Sequence, residues 1–153
     1  DEATVAAAYL HDTIEDMNEH GQRLRRKQLR DAVGAEVARL VNQVSEQKLG
    51  DDGTMLPWRV RKEDYLNSIR TGSPEAMAIS LADKIHNLWS ITQSLENGED
   101  ILSVLSGDGE AQHWFYQSVL EASYHHDDPR LPPMRARLQT ELDRFEAILG
   151  HKE

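Results

Sequence analysis

His11-Asp12-Thr13-Ile14-Glu15-Asp16 lies at the end of a segment in which apolar residues recur at spacings of three and four. The apolar positions are Ala3, Ala7, Leu10, Ile14 and Met17. This spacing is typical of an amphipathic helix and predicts one over about residues 2–19. The histidine and the carboxylates of residues 11–16 then point broadly away from the apolar stripe, so the first helix carries a polar face with several possible metal ligands.

The same helical periodicity continues through the rest of the chain. It predicts a short basic helix from Gln22 that ends near Gly34 and a helix of about fourteen residues marked by Val37, Leu40, Val41 and Val44. Further helices are predicted around residues 58–71, 74–95, 99–105, 110–124 and 134–149. Ser73-Pro74-Glu75 is a typical helix start, and Pro129, Pro132 and Pro133 are expected in a loop before the last helix. No segment shows the alternation of a β-strand, so we expect an all-α fold, a single multi-helix bundle over residues 1–153.

The composition excludes several classes of protein. With 153 residues the chain is long enough to bury the core of one domain, and because it has no cysteine it forms neither a disulfide scaffold nor a thiolate zinc site. The net charge of −10 makes duplex nucleic acid an unfavourable partner, although a free anionic nucleotide could bind beside a local cation or metal. There is no apolar run of membrane-spanning length and no signal-peptide pattern.

The residue types in two segments indicate a metal site. Carboxylates suit hard divalent cations, and an imidazole ligand shifts the preference toward Mn, Fe, Co or Zn. Asp83 lies in an apolar stretch, where a buried carboxylate is costly unless a cation balances it. Glu15 and Asp16 could move protons to and from a water molecule. The alternatives are a solvated face for residues 11–16 and an ordinary salt bridge for Asp83.

The two motifs, His11-Asp12 with Glu15-Asp16 and then Leu81-Ala82-Asp83-Lys84-Ile85-His86-Asn87, resemble the HD phosphohydrolase superfamily. In particular they are similar to the (p)ppGpp hydrolase domains of the RelA/SpoT type. Trp58, Arg61-Lys62 and Tyr65 between the motifs add to the resemblance, which spans most of residues 3–125. Two linked motifs in order are far more specific than a single His-Asp dipeptide.

The resemblance implies a cytoplasmic, all-helical enzyme that binds one Mn²⁺ ion and removes the 3′-pyrophosphate of guanosine tetra- or pentaphosphate. It implies metal ligands at His11, Asp12 and Asp83, an acid/base pair at Glu15 and Asp16, and a nucleotide contact at Asn87. The family's first metal-binding histidine lies upstream of the His-Asp pair, and residues 1–10 contain no histidine. We therefore expect that this sequence lacks the first helices of the domain.

Other residues could bind substrate, each with a structural alternative. Arg61 and Lys62 could contact a phosphate or be solvated, and Tyr116 could stack on a purine or pack in the core. The basic cluster of residues 23–30 could bind phosphate, although a solvated helix face is the simpler interpretation. A different nucleotide substrate, or a metal-free nucleotide-binding regulator without activity, are the alternative functions. The sequence predicts no oligomeric state.

Overall fold

A computed structural model describes residues 1–17 and 20–150 of the chain, and within these residues it is helical. The helices are α1 (Glu2–Leu10), α2 (Arg26–Val33), α3 (Ala35–Val44), α4 (Trp58–Thr71), α5 (Pro74–Glu96), α6 (Gly109–Ser123) and α7 (Leu131–Gly150), with a 3₁₀ turn at Ile101–Ser103. Over the same residues, extended pairing is limited to one isolated β-bridge, between Leu49 and Met55. The predicted all-α fold is confirmed.

The chain divides into two compact units, Asp1–Ile79 and Ser80–Glu153, with the division inside α5. In the first unit, α3 packs against α1, α2 and α4. Its buried cluster consists of Ala7, Leu29, Ala38, Leu40, Val41, Val44, Ala76 and Ile79. The apolar periodicity of the sequence predicts most of these positions because residues spaced three and four apart share one face of a helix.

Two turns in the first unit shape the surface beside α3. Gly34 links α2 directly to α3, and its φ of 87° lies in the left-handed region that favours glycine. The loop over residues 45–57 is held by the Leu56 N–H, which donates to Lys48 O at 2.9 Å. Asp52 Oδ1 accepts hydrogen bonds from the Thr54 hydroxyl and N–H, which lower the pKa of Asp52. The loop therefore has a defined conformation.

In the second unit α6 packs against α7, and Phe115, Leu138, Leu142 and Phe145 are among its buried side chains. Glu141 is also buried, and Arg137 and Arg144 each lie 2.9 Å from one of its carboxylate oxygens.

Arg144 also donates to Glu96 and so ties α7 to the end of α5. This hydrogen bond is the main reason why the pKa of Arg144 is raised. Among the described residues, no helix is both long enough and apolar enough to cross a lipid bilayer.

Four predicted boundaries are wrong. The basic helix begins at Arg26 instead of Gln22, and the short helix predicted near residues 99–105 is a 3₁₀ turn at Ile101–Ser103. The last helix begins at Leu131, because Pro132 and Pro133 lie in its first turn, where proline costs no helical hydrogen bond. The first helix ends at Leu10, and residues 11–16 form turns instead. The Thr13 hydroxyl donates to Leu10 O at 2.7 Å. In a continuing helix the Ile14 N–H would donate to this carbonyl. The predicted end of this helix at residues 18–19 lies outside the described residues.

Candidate active site

His11 and Asp12 lie side by side just after α1. His11 Nδ1 is 2.7 Å from Ala8 O, and since a carbonyl only accepts, Nδ1 carries the proton. Nε2 is then the ring nitrogen directed at Asp12 Oδ2, 3.1 Å away. Two atoms that bind one ion at about 2.1 Å and at right angles are about 3 Å apart, so this pair fits two adjacent ligands of a divalent cation. A protonated His11 paired with Asp12 would have the same spacing.

The turns after Asp12 bring Glu15 to the end of α3. The N–H groups of Glu15 and Asp16 both donate to Asp12 O, at 3.0 and 2.9 Å. The Glu15 carboxylate accepts a hydrogen bond from the Glu46 N–H, and its other oxygen lies 3.8 Å from Lys48 Nζ. The Glu15 side chain is only 15% exposed. The structure therefore holds Glu15 in a defined position, whereas Asp16 is exposed.

Glu46 connects Glu15 to the two cations predicted to bind substrate. Arg61 Nη1 lies 3.2 Å from Glu46 Oε1, and Lys62 Nζ lies 3.0 Å from Glu46 Oε2. The three side chains are between 12% and 17% exposed, and Lys62 also lies over the Trp58 ring. Arg61 and Lys62 are thus not simply solvated cations. The acidic residue that organises them was not identified from the sequence.

A cleft of about 600 Å³ opens beside Glu15. Its charged lining combines Glu15 and Glu46 with four cations, namely Arg23, Arg25, Arg26 and Lys48. The Nε–H of Arg23 is buried and has no hydrogen-bond acceptor among the described residues. Asp16 lines a second cleft of about 420 Å³, which shares Arg23 and Leu24 with the first. Three arginines of the basic cluster therefore line the cleft beside Glu15, although Arg25 and Arg26 are also exposed to solvent.

In the second unit, α5 brings Asp83 and Asn87 together. Asn87 Nδ2 donates to Asp83 Oδ2 at 3.3 Å, and Lys84 Nζ lies 2.7 Å from the same oxygen. Asp83 is 19% exposed, so its carboxylate is mostly removed from water and Lys84 balances its charge. This salt bridge is the alternative that the sequence left open for Asp83. A metal ion bound at Oδ2 would compete with Lys84 for this oxygen.

Tyr116 lies on α6 and is 5% exposed. Its ring packs edge to face against Phe115, with centroids 5.5 Å apart. This burial favours core packing, and stacking on a purine stays a prediction. Within residues 1–17 and 20–150, no group of three or more His, Asp or Glu side chains is arranged to hold a metal ion. His11 and Asp12 are therefore the pair of predicted ligands that the first unit brings together.

Comparison with known proteins assigns the family. A sequence profile described as HD domain matches residues 1–103. The chain belongs to the HD domain family. The match includes both segments on which the resemblance was based, His11–Asp16 and Leu81–Asn87.

Two known proteins are similar to this chain over most of its length. The Mus musculus protein guanosine-3′,5′-bis(diphosphate) 3′-pyrophosphohydrolase MESH1 is 34% identical over 98 residues, which are 64% of this chain and 49% of the mouse protein. The chain thus spans about half the length of this curated relative. The crystal structure of lmo0812 from Listeria monocytogenes EGD-e superposes with a TM-score of 0.76 at 26% identity, over 94% of this chain and 82% of that one.

Sequence reasoning missed three residues of the HD domain's cleft. Glu46 and Lys48 follow α3 in a polar segment whose pattern does not distinguish them from loop surface. Arg23 belongs to the recognised basic cluster. It lies before α2, which begins at Arg26, and this position ahead of the helix is the signal that could have distinguished it from the rest of the cluster. The positions of Glu46 and Lys48 depend on how the loop over residues 45–57 folds, and the spacing of residues in the sequence does not predict this.

Proposed function

We propose that this chain is a metal-dependent phosphohydrolase that removes the 3′-pyrophosphate from guanosine tetra- or pentaphosphate. Membership of the HD domain family and the 34% identity to a guanosine-3′,5′-bis(diphosphate) 3′-pyrophosphohydrolase support this proposal. The observation that carries it is the Glu15 cleft, where a partly buried carboxylate lies among arginines in a chain of net charge −10. A site with this charge distribution suits a highly anionic substrate and a proton acceptor.

The proposed ligands of the metal are His11, Asp12 and Asp83, and the proposed ion is Mn²⁺. The donor set supports this choice because one imidazole and two carboxylates suit a borderline-hard divalent cation. The 3.1 Å spacing of His11 Nε2 and Asp12 Oδ2 supports the first two ligands. When bound, the ion would supply Lewis-acid polarisation of a phosphoryl oxygen and a lower pKa for water.

The protein's own residues would perform the remaining steps. The Glu15 carboxylate would take a proton from the attacking water, since the Glu46 N–H and Lys48 fix its position. Attack of this water on the phosphorus would break its bond to the ribose 3′ oxygen and release pyrophosphate. Asp16, on the neighbouring exposed cleft, would exchange the proton with solvent or return it to that 3′ oxygen. The Arg23 Nε–H would donate to a phosphate oxygen, because charge-assisted hydrogen bonds are the strong ones and this donor has no acceptor among the described residues.

Arg61, Lys62 and Asn87 complete the proposed substrate-binding set, and we propose that the buried Tyr116 supports it from the core instead of stacking on the purine. For Arg61 and Lys62 to bind phosphate, the anion would share them with Glu46, so we expect them to orient substrate more than to bind it tightly. Asn87 would contact the nucleotide from α5. The proposed partner is therefore a small guanine nucleotide. A cytoplasmic location also stays a prediction.

Two substitutions test the assignments separately. Glu15→Gln keeps the size of the side chain and removes the base, so turnover of guanosine tetraphosphate should fall by about 10²–10⁴-fold while bound Mn²⁺ is unchanged. Asp83→Asn should lower the stoichiometry of bound Mn²⁺. The control is Glu63→Gln, the same change at a side chain that is 56% exposed on α4. Loss of metal from Glu15→Gln would instead make Glu15 a ligand.

Substrate competition tests the choice of nucleotide. The enzyme should release pyrophosphate from guanosine tetraphosphate faster than it cleaves deoxynucleotides or nucleoside monophosphates. Equal rates on all of them would refute the 3′-pyrophosphate specificity and favour a different HD substrate. Nucleotide binding with one Mn²⁺ per chain but no turnover of any nucleotide would favour a regulatory role.

A further inference from the structure

A second cleft in the first unit is lined by cations and by no carboxylate. It has a volume of about 660 Å³ between α2, α3 and α4, and its charged lining residues are Arg26, Lys27, Arg30 and Arg39. The chain as a whole has ten more acidic than basic side chains, since 27 minus 17 is 10. A lining with four cations therefore reverses the sign of the protein's overall charge locally.

The cleft follows from the way α2 and α3 are joined. Arg26 and Arg30 are four residues apart and share one face of α2, while Ala35 and Arg39 do so on α3. The small side chains of Ala35 and Ala38 leave the space between the cations of α2 and Arg39 on α3.

The floor of this cleft is held by hydrogen bonds. The Ser68 hydroxyl donates to Gln43 O at 2.9 Å, and the Ser73 hydroxyl donates to Gln43 Oε1 at 2.8 Å. The site is thus formed without a ligand.

The arginines of this cleft have no ion-pair partner in the part of the chain that the structure describes. Lys27 pairs with Asp31 at 2.7 Å, but in residues 1–17 and 20–150 no carboxylate forms an ion pair with Arg26, Arg30 or Arg39. Arginines that converge without a counter-ion repel one another, and the guanidinium fork is suited to phosphate oxygens in two-point contacts. An anion with several charges would relieve this repulsion.

We propose that the α2–α3 cleft binds a small anion that carries two or more linked phosphate groups. Its volume is in the range of small-molecule sites, and none of its lining residues is aromatic. The absence of stacking side chains from this lining disfavours single-stranded RNA, which such proteins bind largely through base stacking. The site does not depend on hydrolysis at Glu15, although Arg26 lines both clefts.

Calorimetric titration with inorganic triphosphate tests this site. The titration is made at fixed ionic strength on the metal-free protein, so that the proposed metal site does not contribute. The test variant is Arg30→Ala/Arg39→Ala, and the control is Arg59→Ala/Arg70→Ala, which removes the same charge from α4. We expect the test variant to bind about tenfold more weakly or worse, and the control to stay within about twofold.

Further arms identify the source of the phosphates and separate the two clefts. Equal affinity for triphosphate and guanosine triphosphate would support a site for the phosphate chain alone, and tighter nucleotide binding would support a nucleotide site. Arg23 lines the Glu15 clefts and not the α2–α3 cleft, so Arg23→Ala should remove only the triphosphate binding that belongs to the Glu15 clefts and retain the binding that Arg30→Ala/Arg39→Ala removes.

Three results would overturn the α2–α3 site. They are no binding to the native protein, equal losses in both double variants that retain the native unfolding midpoint, or loss of all triphosphate binding in Arg23→Ala alone. Competition by an RNA oligonucleotide that binds more tightly than triphosphate would also overturn it, in favour of a nucleic-acid surface.

Discussion

Replacing Glu46 by Gln tests the network that joins Glu15 to α4. The Glu46 carboxylate is 12% exposed and lies within 3.2 Å of Arg61 and 3.0 Å of Lys62, which are themselves 14% and 17% exposed. The substitution removes the Glu46 negative charge that balances these two mostly buried cations. The free energy of unfolding should therefore fall, because the desolvation of both cations is no longer compensated.

The expected loss lies between two limits. Removing one partner from a fully buried ion pair costs about 3–5 kcal/mol, and an exposed pair is worth about 0.2–1 kcal/mol. Since some water reaches the Glu46 network, we expect a loss of about 2–3 kcal/mol. For a chain of this size, that loss lowers Tm by about 4–12 °C.

Urea unfolding followed by circular dichroism measures the loss, with Glu63→Gln as the matched control. Glu63 lies 2.8 Å from Arg59, a shorter distance than either Glu46 contact, but both side chains are 56% exposed. The control should therefore lose no more than about 0.5 kcal/mol. Equal losses in the two variants would refute the argument that burial, and not distance, determines the strength of this network.

Four further predictions concern single positions. Phe145→Ala empties a fully buried site in α7 and should cost about 3–5 kcal/mol of unfolding free energy in urea titrations. Gly72→Ala should lower Tm, because the added Cβ would lie 2.8 Å from Ser68 O; an unchanged Tm would show that the turn adjusts freely. Tyr116→Leu keeps an apolar core and should leave KM for the nucleotide unchanged, whereas a raised KM would show stacking. Hydrogen bonds from Arg130 lower the pKa of Asp128 to about 2, so Asp128 stabilises the fold above pH 3.8 and loses this effect as pH falls to about 2. Asp128→Asn should therefore flatten the acid limb of the stability curve over that pH range.

The helices themselves were largely predictable from sequence. Trp58–Thr71 and the start of α5 at Pro74 agree with the predicted bounds because apolar spacing and proline position act within a few residues. One error occurs where a side chain competes with the helical backbone, as Thr13 does at Leu10 O, and another where prolines lie in the first turn of α7. A threonine near a helix end gives the same sequence pattern whether or not its hydroxyl donates to a helical carbonyl.

The candidate site was predictable in part, by motif more than by geometry. The His11-Asp12 motif identified the family, which the profile over residues 1–103 confirms. Sequence spacing could not reveal that Glu46 would hold Arg61 and Lys62, since these contacts join residues on different elements. The basic cluster fits both interpretations, because Arg25, Arg26 and Arg30 are exposed while Arg26 and Arg30 also line a cleft that depends on the packing of α2 against α3.

The most direct test of the proposed function is to measure bound Mn²⁺ and Mn²⁺-dependent release of pyrophosphate from guanosine tetraphosphate on the same preparation. The protein should include any residues that its gene encodes ahead of Asp1. The proposal predicts one ion per chain and pyrophosphate release that stops when the ion is removed by a chelator. A folded protein that binds no divalent ion and releases no pyrophosphate would contradict it.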